Sequence, residues 1–156
     1  MTEREALSAM QGDDAALAAR AAGALWQMWH RSGEPRLDDL LRRGIEAMEG
    51  QDLAAAEAAF TRLIGEAPAF AEGWNKRATL RYIAKDYAAS IADCEETLAR
   101  NPNHFGALSG QGLCHMMRGE FREAALLFRR TLAVYPHLQG ARENLRAAVG
   151  EMAKRN

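Results

Sequence analysis

Two cysteines, Cys94 and Cys114, and four histidines, His30, His104, His115 and His137, are the side chains of this sequence best suited to nucleophilic or metal chemistry. A zinc site needs such residues at short fixed spacing, as in C-x2-C or two imidazoles four residues apart on one helix face. Neither spacing occurs, and two cysteines are too few for a disulfide framework. The expectation is therefore two buried thiols and ordinary surface or helix histidines. Paired carboxylates are no more promising. Glu95 and Glu96 are adjacent on a helical stretch, point to different sides and cannot flank one substrate bond. The sequence has no Gly-rich phosphate loop, no GxSxG elbow and no HExxH. These residues predict a protein that is not an enzyme and uses neither metal nor cofactor.

Composition narrows the class further. The 156 residues are 48% hydrophobic and 26% charged, enough for one core and a default of one domain. A formal net charge of −1, with Arg interleaved among Asp and Glu, provides no basic stripe for a phosphate backbone, so nucleic acid is not expected as a partner. No apolar run reaches the roughly 18 residues of a membrane span. The start MTEREALSAMQGDD lacks the basic-then-apolar order of a signal peptide. As written the chain is expected in the cytoplasm, or in the periplasm if a cleaved leader is missing from this sequence.

The elements that would position any site are set by a repeat. Pro68, Pro102 and Pro136 stand 34 residues apart, which divides the chain into blocks 37–70, 71–104 and 105–138. Gly44, Ala78 and Gly112 share the eighth column, and Ala56, Ser90 and Ala124 the twentieth. Leu40, Trp74 and Leu108 share the fourth, and Phe60, Cys94 and Phe128 the twenty-fourth. Small columns against large ones predict a helix hairpin, with Gly44 and Ala56 at the closest crossing of the first. EGQD, AKDY and RGEF supply the mid-block turns, and each proline ends a second helix because it cannot donate to the ladder.

Two helices per 34 residues, these columns and the closing proline resemble the tetratricopeptide repeat (TPR) family over residues 37–138. Ala56-x3-Phe60 and Ala124-x3-Phe128 match its A-x3-F element, whereas Trp74 is followed by Arg77-Ala78 and Arg81 in place of Leu-Gly and Tyr. The resemblance implies an all-α, right-handed superhelical stack of antiparallel hairpins. Residues 139–156 read as a polar-backed capping helix in which Leu145 and Val149 share a face. Residues 1–36 read as a degenerate N-terminal hairpin, completing a single domain over 1–156. Its Trp26 and Trp29 are expected to bury against the first helix of the first repeat, or to serve a partner. The W-x2-W-x2-S-G segment, Trp26 to Gly33, and the stretch AEGWNKRAT are similar to small stand-alone bacterial TPR proteins of unassigned function.

By that resemblance, columns two, five, nine, twelve and thirteen line a concave groove. They read Asp38, Leu41, Ile45, Met48 and Glu49 in the first repeat, and Glu72, Asn75, Thr79, Tyr82 and Ile83 in the second. The third supplies Gly106, Ser109, Leu113, Met116 and Met117. Relatives that clamp a chaperone's terminal carboxylate use Lys, Asn and Arg, where this chain has Leu41, Ile45, Lys76, Gly106 and Gly110. Without converging cations the clamp is not expected. The resemblance instead implies a scaffold for protein–protein interaction that binds a peptide or helix through Asn75, Thr79, Tyr82, Ser109, Leu113 and Met116. The alternative is a structural module that self-associates through the Trp26 and Trp29 face.

Overall fold

The computed structural model describes residues 1–155, and the regular elements among them are all α-helices. They run α1 Glu3–Met10, α2 Ala15–Trp29, α3 Pro35–Glu49, α4 Leu53–Glu66, α5 Ala71–Ile83, α6 Tyr87–Arg100, α7 Phe105–Met117, α8 Phe121–Val134 and α9 Gln139–Lys154. Asn156, the last residue of the expected capping segment, lies outside the described residues. The helices gather into two compact units, one of residues Trp29–Ala107 and one of Met1–Met28 together with the chain from Leu108 onward. Among the described residues no helix is long and apolar enough to cross a membrane.

In the Trp29–Ala107 unit, each helix boundary has a local cause. Pro35 opens α3, where its missing N–H costs nothing. The carboxylates of Asp52 and Asp86 cap α4 and α6 by accepting from the N–H groups of Ala55 and Ala89, at 3.1 and 3.2 Å. The mid-block turns are Schellman motifs in which Gln51 and Lys85 take left-handed backbone, φ 64° and 62°. In each, the next N–H closes on the carbonyl five residues back, Asp52 to Ala47 and Asp86 to Arg81.

The α3/α4 crossing is made by a ring on a bare backbone. A Cβ added at Gly44 would lie 2.3 Å from Cε1 of Phe60, so only glycine fits beneath that ring. Ala56, expected at this crossing, is buried in the same cluster with Leu37, Leu41, Leu63 and Leu80, but Phe60 is what lies on Gly44. The equivalent columns of α5/α6 hold Ala78 and Cys94, both buried. There the smaller thiol leaves room for a methyl, and volume is conserved. This hairpin is also polar. Asp93, buried, accepts from Arg77 Nε and Nη2 at 2.9 and 3.0 Å and from Arg81 Nη1 at 3.0 Å. Ser90 Oγ donates to the Ala78 carbonyl at 2.7 Å.

Pro68 ends α4 and then serves the next hairpin. Its carbonyl accepts from the Trp74 indole N–H at 3.0 Å and from Arg100 Nε, while the Arg100 guanidinium lies over the Trp74 ring at 4.6 Å. Trp74 is thus a filler and a hydrogen-bond donor together.

In the other unit, α1 begins at a capping box between Thr2 and Glu5. The α7/α8 crossing repeats the glycine solution: a Cβ at Gly112 would lie 2.6 Å from Cε1 of Phe128. Gly119 takes the left-handed turn position, φ 74°. Ala124, Ala125, Phe128 and Ala148 form a core on which Leu113, Met116, Leu145 and Met152 pack. The inward face of α9 is therefore built by Ala141 and Ala148, while Val149 is exposed. Residues 1–28 belong to the unit containing α8 and α9. His137 Nε2 donates to the Gly12 carbonyl at 2.7 Å and ties the α8–α9 connection to the α1–α2 turn.

Candidate functional site

Of the residues expected to contact a partner, three lie on α5 and three on α7. On α5, Asn75 is buried and its amide donates to Glu72 Oε1 at 2.8 Å. Thr79 is exposed, and its hydroxyl donates to the Asn75 carbonyl at 3.2 Å, as helical threonines do when they bond back one turn. Tyr82 is half-buried with its ring edge-on to Tyr87, 5.7 Å between centroids. Ile83, one residue further on, is 49% exposed.

In the same unit a hollow of about 350 Å³ opens on α3, lined by His30, Asp38, Leu41, Arg42, Ile45, Glu46 and Glu49. Four of these are the first-repeat groove columns. Asp38 is already engaged, since its Oδ1 accepts from the N–H and Oγ of Ser32 at 2.8 and 2.6 Å. That bond, with Gly33 at φ 91°, explains the Ser-Gly end of the W-x2-W-x2-S-G segment as a tight entry to α3.

Beneath α5 lies a buried polar cluster that the sequence reading missed. Glu72 and His104, expected as a groove residue and an ordinary histidine, are both fully buried, with His104 Nε2 2.9 Å from Glu72 Oε2. The Ala107 N–H donates to His104 Nδ1 at 3.1 Å, so the ring caps the start of α7 and must carry its proton on Nε2, facing Glu72. On the other carboxylate oxygen, His30 Nε2 and Lys76 Nζ approach to 3.6 and 3.7 Å. Burial alone would raise the Glu72 pKa. The hydrogen bond from His104, with the charge of Lys76 and of the two histidines when protonated, outweighs burial and holds it below the ordinary carboxylate value. Trp29 closes the cluster, its ring stacked on His104 at 4.9 Å and tilted against Phe105 at 5.4 Å. Two ring neighbours of Trp29 are thus at the α6–α7 corner. A histidine directly before a helix start, facing an acid 32 residues earlier, was the only sequence signal for this cluster.

In the other unit, Ser109, Leu113 and Met116 are half-buried on α7, and the last two rest on the α7/α8/α9 core. Met117 is 56% exposed. Ile83 and Met117 share the thirteenth column, so the most open apolar groups of the expected groove face follow its final column. Cys94 and Cys114 are buried and not joined in a disulfide. Among the described residues no three His, Cys, Asp or Glu side chains gather as a metal-ligand set.

The tetratricopeptide repeat family model matches residues 41–104 and 84–138. A TPR repeat-containing protein of Rhizobium etli is 31% identical over 125 residues, covering 80% of this chain and 61% of the relative, so this chain spans less than two thirds of the relative's length. Among solved structures, the first TPR of Spaghetti (RPAP3) bound to the HSP90 peptide SRMEEVD matches with TM-score 0.73 at 21% identity, over 75% of this chain and 93% of that one. The Sgt2 TPR domain from Aspergillus fumigatus matches at TM-score 0.72 and 19% identity, over 79% and 84%. The MamA protein matches at 0.71 and 18%, over 90% and 74%. Identities this low speak for the fold alone. The family match spans both the apolar Gly–Phe hairpins and the polar middle one. The chain belongs to the tetratricopeptide repeat family.

Proposed function

We propose that this protein is a non-catalytic protein-interaction module whose first-helix faces bind a peptide or helix of a partner protein. The observation that carries the reading is the exposure of Ile83 and Met117 at one repeat column, on faces that are otherwise polar or closed. An apolar side chain left open at the end of a first helix fits a ligand that lies on that helix. In the proposal Thr79 and Tyr82 line the α5 face, with Asn75 acting mainly by bracing Glu72, and Ser109, Leu113 and Met116 line the α7 face. The hollow on α3 adds the carboxylate of Glu49, which favours a ligand bearing a basic or hydrogen-bond-donating group there, whereas Glu46 is already bonded to Arg42 at 2.7 Å. Two structural relatives hold chaperone peptides, an HSP90 peptide in Spaghetti (RPAP3) and an Hsp70 complex in Sti1 of yeast. They lend support to peptide binding as a mode, but Leu41, Ile45, Gly106 and Gly110 stand where a carboxylate clamp needs polar groups. We infer a non-clamp ligand on that ground.

Self-association through the tryptophans is less favoured, because the Trp29 ring is engaged by His104 and Phe105. The test is recovery of partners from the native cell by the wild type and by Met117→Glu and Met116→Glu. A carboxylate in the apolar strip would have to be desolvated against the ligand, so a specific partner should be lost from both variants while their helicity is unchanged. Equal recovery by folded variants would reject this face.

A further inference from the structure

The eighth repeat column carries a reading that the concave face does not use. Gly44 and Gly112 are the residues on which Phe60 and Phe128 lie, so this column marks the side of a first helix that faces its own second helix. Helix α9 continues the 34-residue spacing and stands where a further first helix would. At the eighth column it has Arg146, and at the fourth Arg142. A ring could not descend onto Arg146 as it does onto Gly44, so a second helix of the usual kind does not fit this side.

That side is nevertheless shaped to receive something. Leu132 of α8 with Leu145 and Val149 of α9 form the floor of an open groove of about 360 Å³, and the rest of its lining is Arg129, Arg142 and Arg146. No acidic residue lines it. Arg142 uses Nε on the Pro136 carbonyl at 2.8 Å. Arg129 and Arg146 make no hydrogen bond or ion pair with any described residue. An apolar floor between unpaired cations suits an amphipathic helix with an apolar stripe and carboxylates along both flanks, each reaching an arginine bidentately.

We infer that the α8/α9 groove is a second docking site, which takes an acidic amphipathic helix of a partner protein in the place a further repeat helix would occupy. Its cations select for charge, whereas its apolar floor supplies contact. The site is independent of the concave-face reading, shares none of its residues, and needs none of them to be right.

The test uses the full chain and a fluorescein-labelled helical peptide of about 15 residues, with leucines at i, i+3, i+4 and i+7 flanked by glutamates, beside an isomer with lysines in their place. By fluorescence anisotropy, the acidic peptide should bind saturably and more weakly as salt rises, and the lysine isomer should not bind. Arg146→Glu should weaken the acidic peptide by roughly tenfold or more and admit the lysine isomer, since rim charge sets partner choice. Arg129→Glu should act in the same direction, while Arg62→Glu, a charge reversal on an exposed side chain of α4 outside both faces, should leave binding unchanged. All three variants are checked for helicity, and should Arg146→Glu fail to fold, Arg129→Glu carries the comparison. No binding of the acidic peptide overturns the proposal, as does equal binding of both isomers. Equal loss of binding in Arg62→Glu and in the two groove variants overturns it by showing charge attraction with no defined site. Concentration-dependent self-association that Arg146→Glu abolishes overturns it in favour of a second copy of this chain.

Discussion

Hairpins α3/α4 and α5/α6 share one unit and one repeat length, yet they close their crossings with different chemistry. In α3/α4, carbon meets carbon: Phe60 lies on Gly44 within a cluster of leucines. In α5/α6, the ring and the bare glycine give way to Cys94 and Ala78, and the columns where the family pattern has Leu and Tyr hold Arg77 and Arg81, both bound to Asp93. The exchange works because the columns change together. An alanine under Phe60 would clash, and an Arg77 without Asp93 would be a half-buried cation with its carboxylate missing. The apolar crossing draws on burial, which is non-directional, whereas the ionic one depends on geometry and fails hard when one partner is removed.

The largest expected effect tests the apolar side. Phe60→Ala should cost about 3 to 5 kcal/mol, since it empties the site of a fully buried ring, while Cys94→Ala at the matching column should cost only about 1. Urea midpoints measure both, and equal losses would erase the distinction between the hairpins. Next, Asp93→Ala should cost roughly 2 to 4 kcal/mol, somewhat less than a fully buried pair because Arg77 and Arg81 keep some solvent. The double change Arg77→Leu with Asp93→Leu should be less damaging than Asp93→Ala alone, because it leaves fewer charges stranded. A double variant worse than the single would mean the charges contribute more than they cost to bury.

Glu72→Gln is expected to cost about 2 kcal/mol at neutral pH, as His104, His30 and Lys76 lose their anion. The sign of the pH dependence follows from the lowered Glu72 pKa: the folded state binds fewer protons than the unfolded state across this range, so stability rises with pH. The gap between wild type and variant should be complete above the unfolded value of 4.5 and close as pH falls through the depressed folded value. Acid unfolding of both proteins at several pH values reads it, and a gap independent of pH would remove Glu72 from that role. The smallest effect belongs to the turns. Lys85→Gly relieves a left-handed lysine but loosens the unfolded chain, so a gain within about 1 kcal/mol is expected. A loss in thermal midpoint would count against the Schellman reading that Lys85 shares with Gln51 and Gly119.

The helical class, the 34-residue hairpins and the buried thiols were legible because local signals carry them. Pro68, Pro102 and Pro136 end second helices at a fixed period, EGQD, AKDY and RGEF supply the turns, and small columns face large ones at fixed offsets. The partner-facing residues were less legible. Column position put Asn75 and Thr79 on one face, yet Asn75 spends its amide on Glu72 and Thr79 bonds back to its own helix. The column containing Ile83 and Met117 was named, but periodicity alone could not rank it as the most open.

What the sequence determined by itself is therefore what acts over a few residues or recurs at a fixed period: where each helix starts and stops, and which columns must be small. The tertiary structure alone decided which distant side chains meet. His104 finds Glu72 and is roofed by Trp29, Trp74 and Arg100 converge on the Pro68 carbonyl, and His137 reaches Gly12. A helical period states that a side chain points inward, but its partner is selected by how helices far apart in the chain are brought together. A buried polar group must take whichever partner that arrangement supplies, because leaving it unpaired would cost more than any local preference could return.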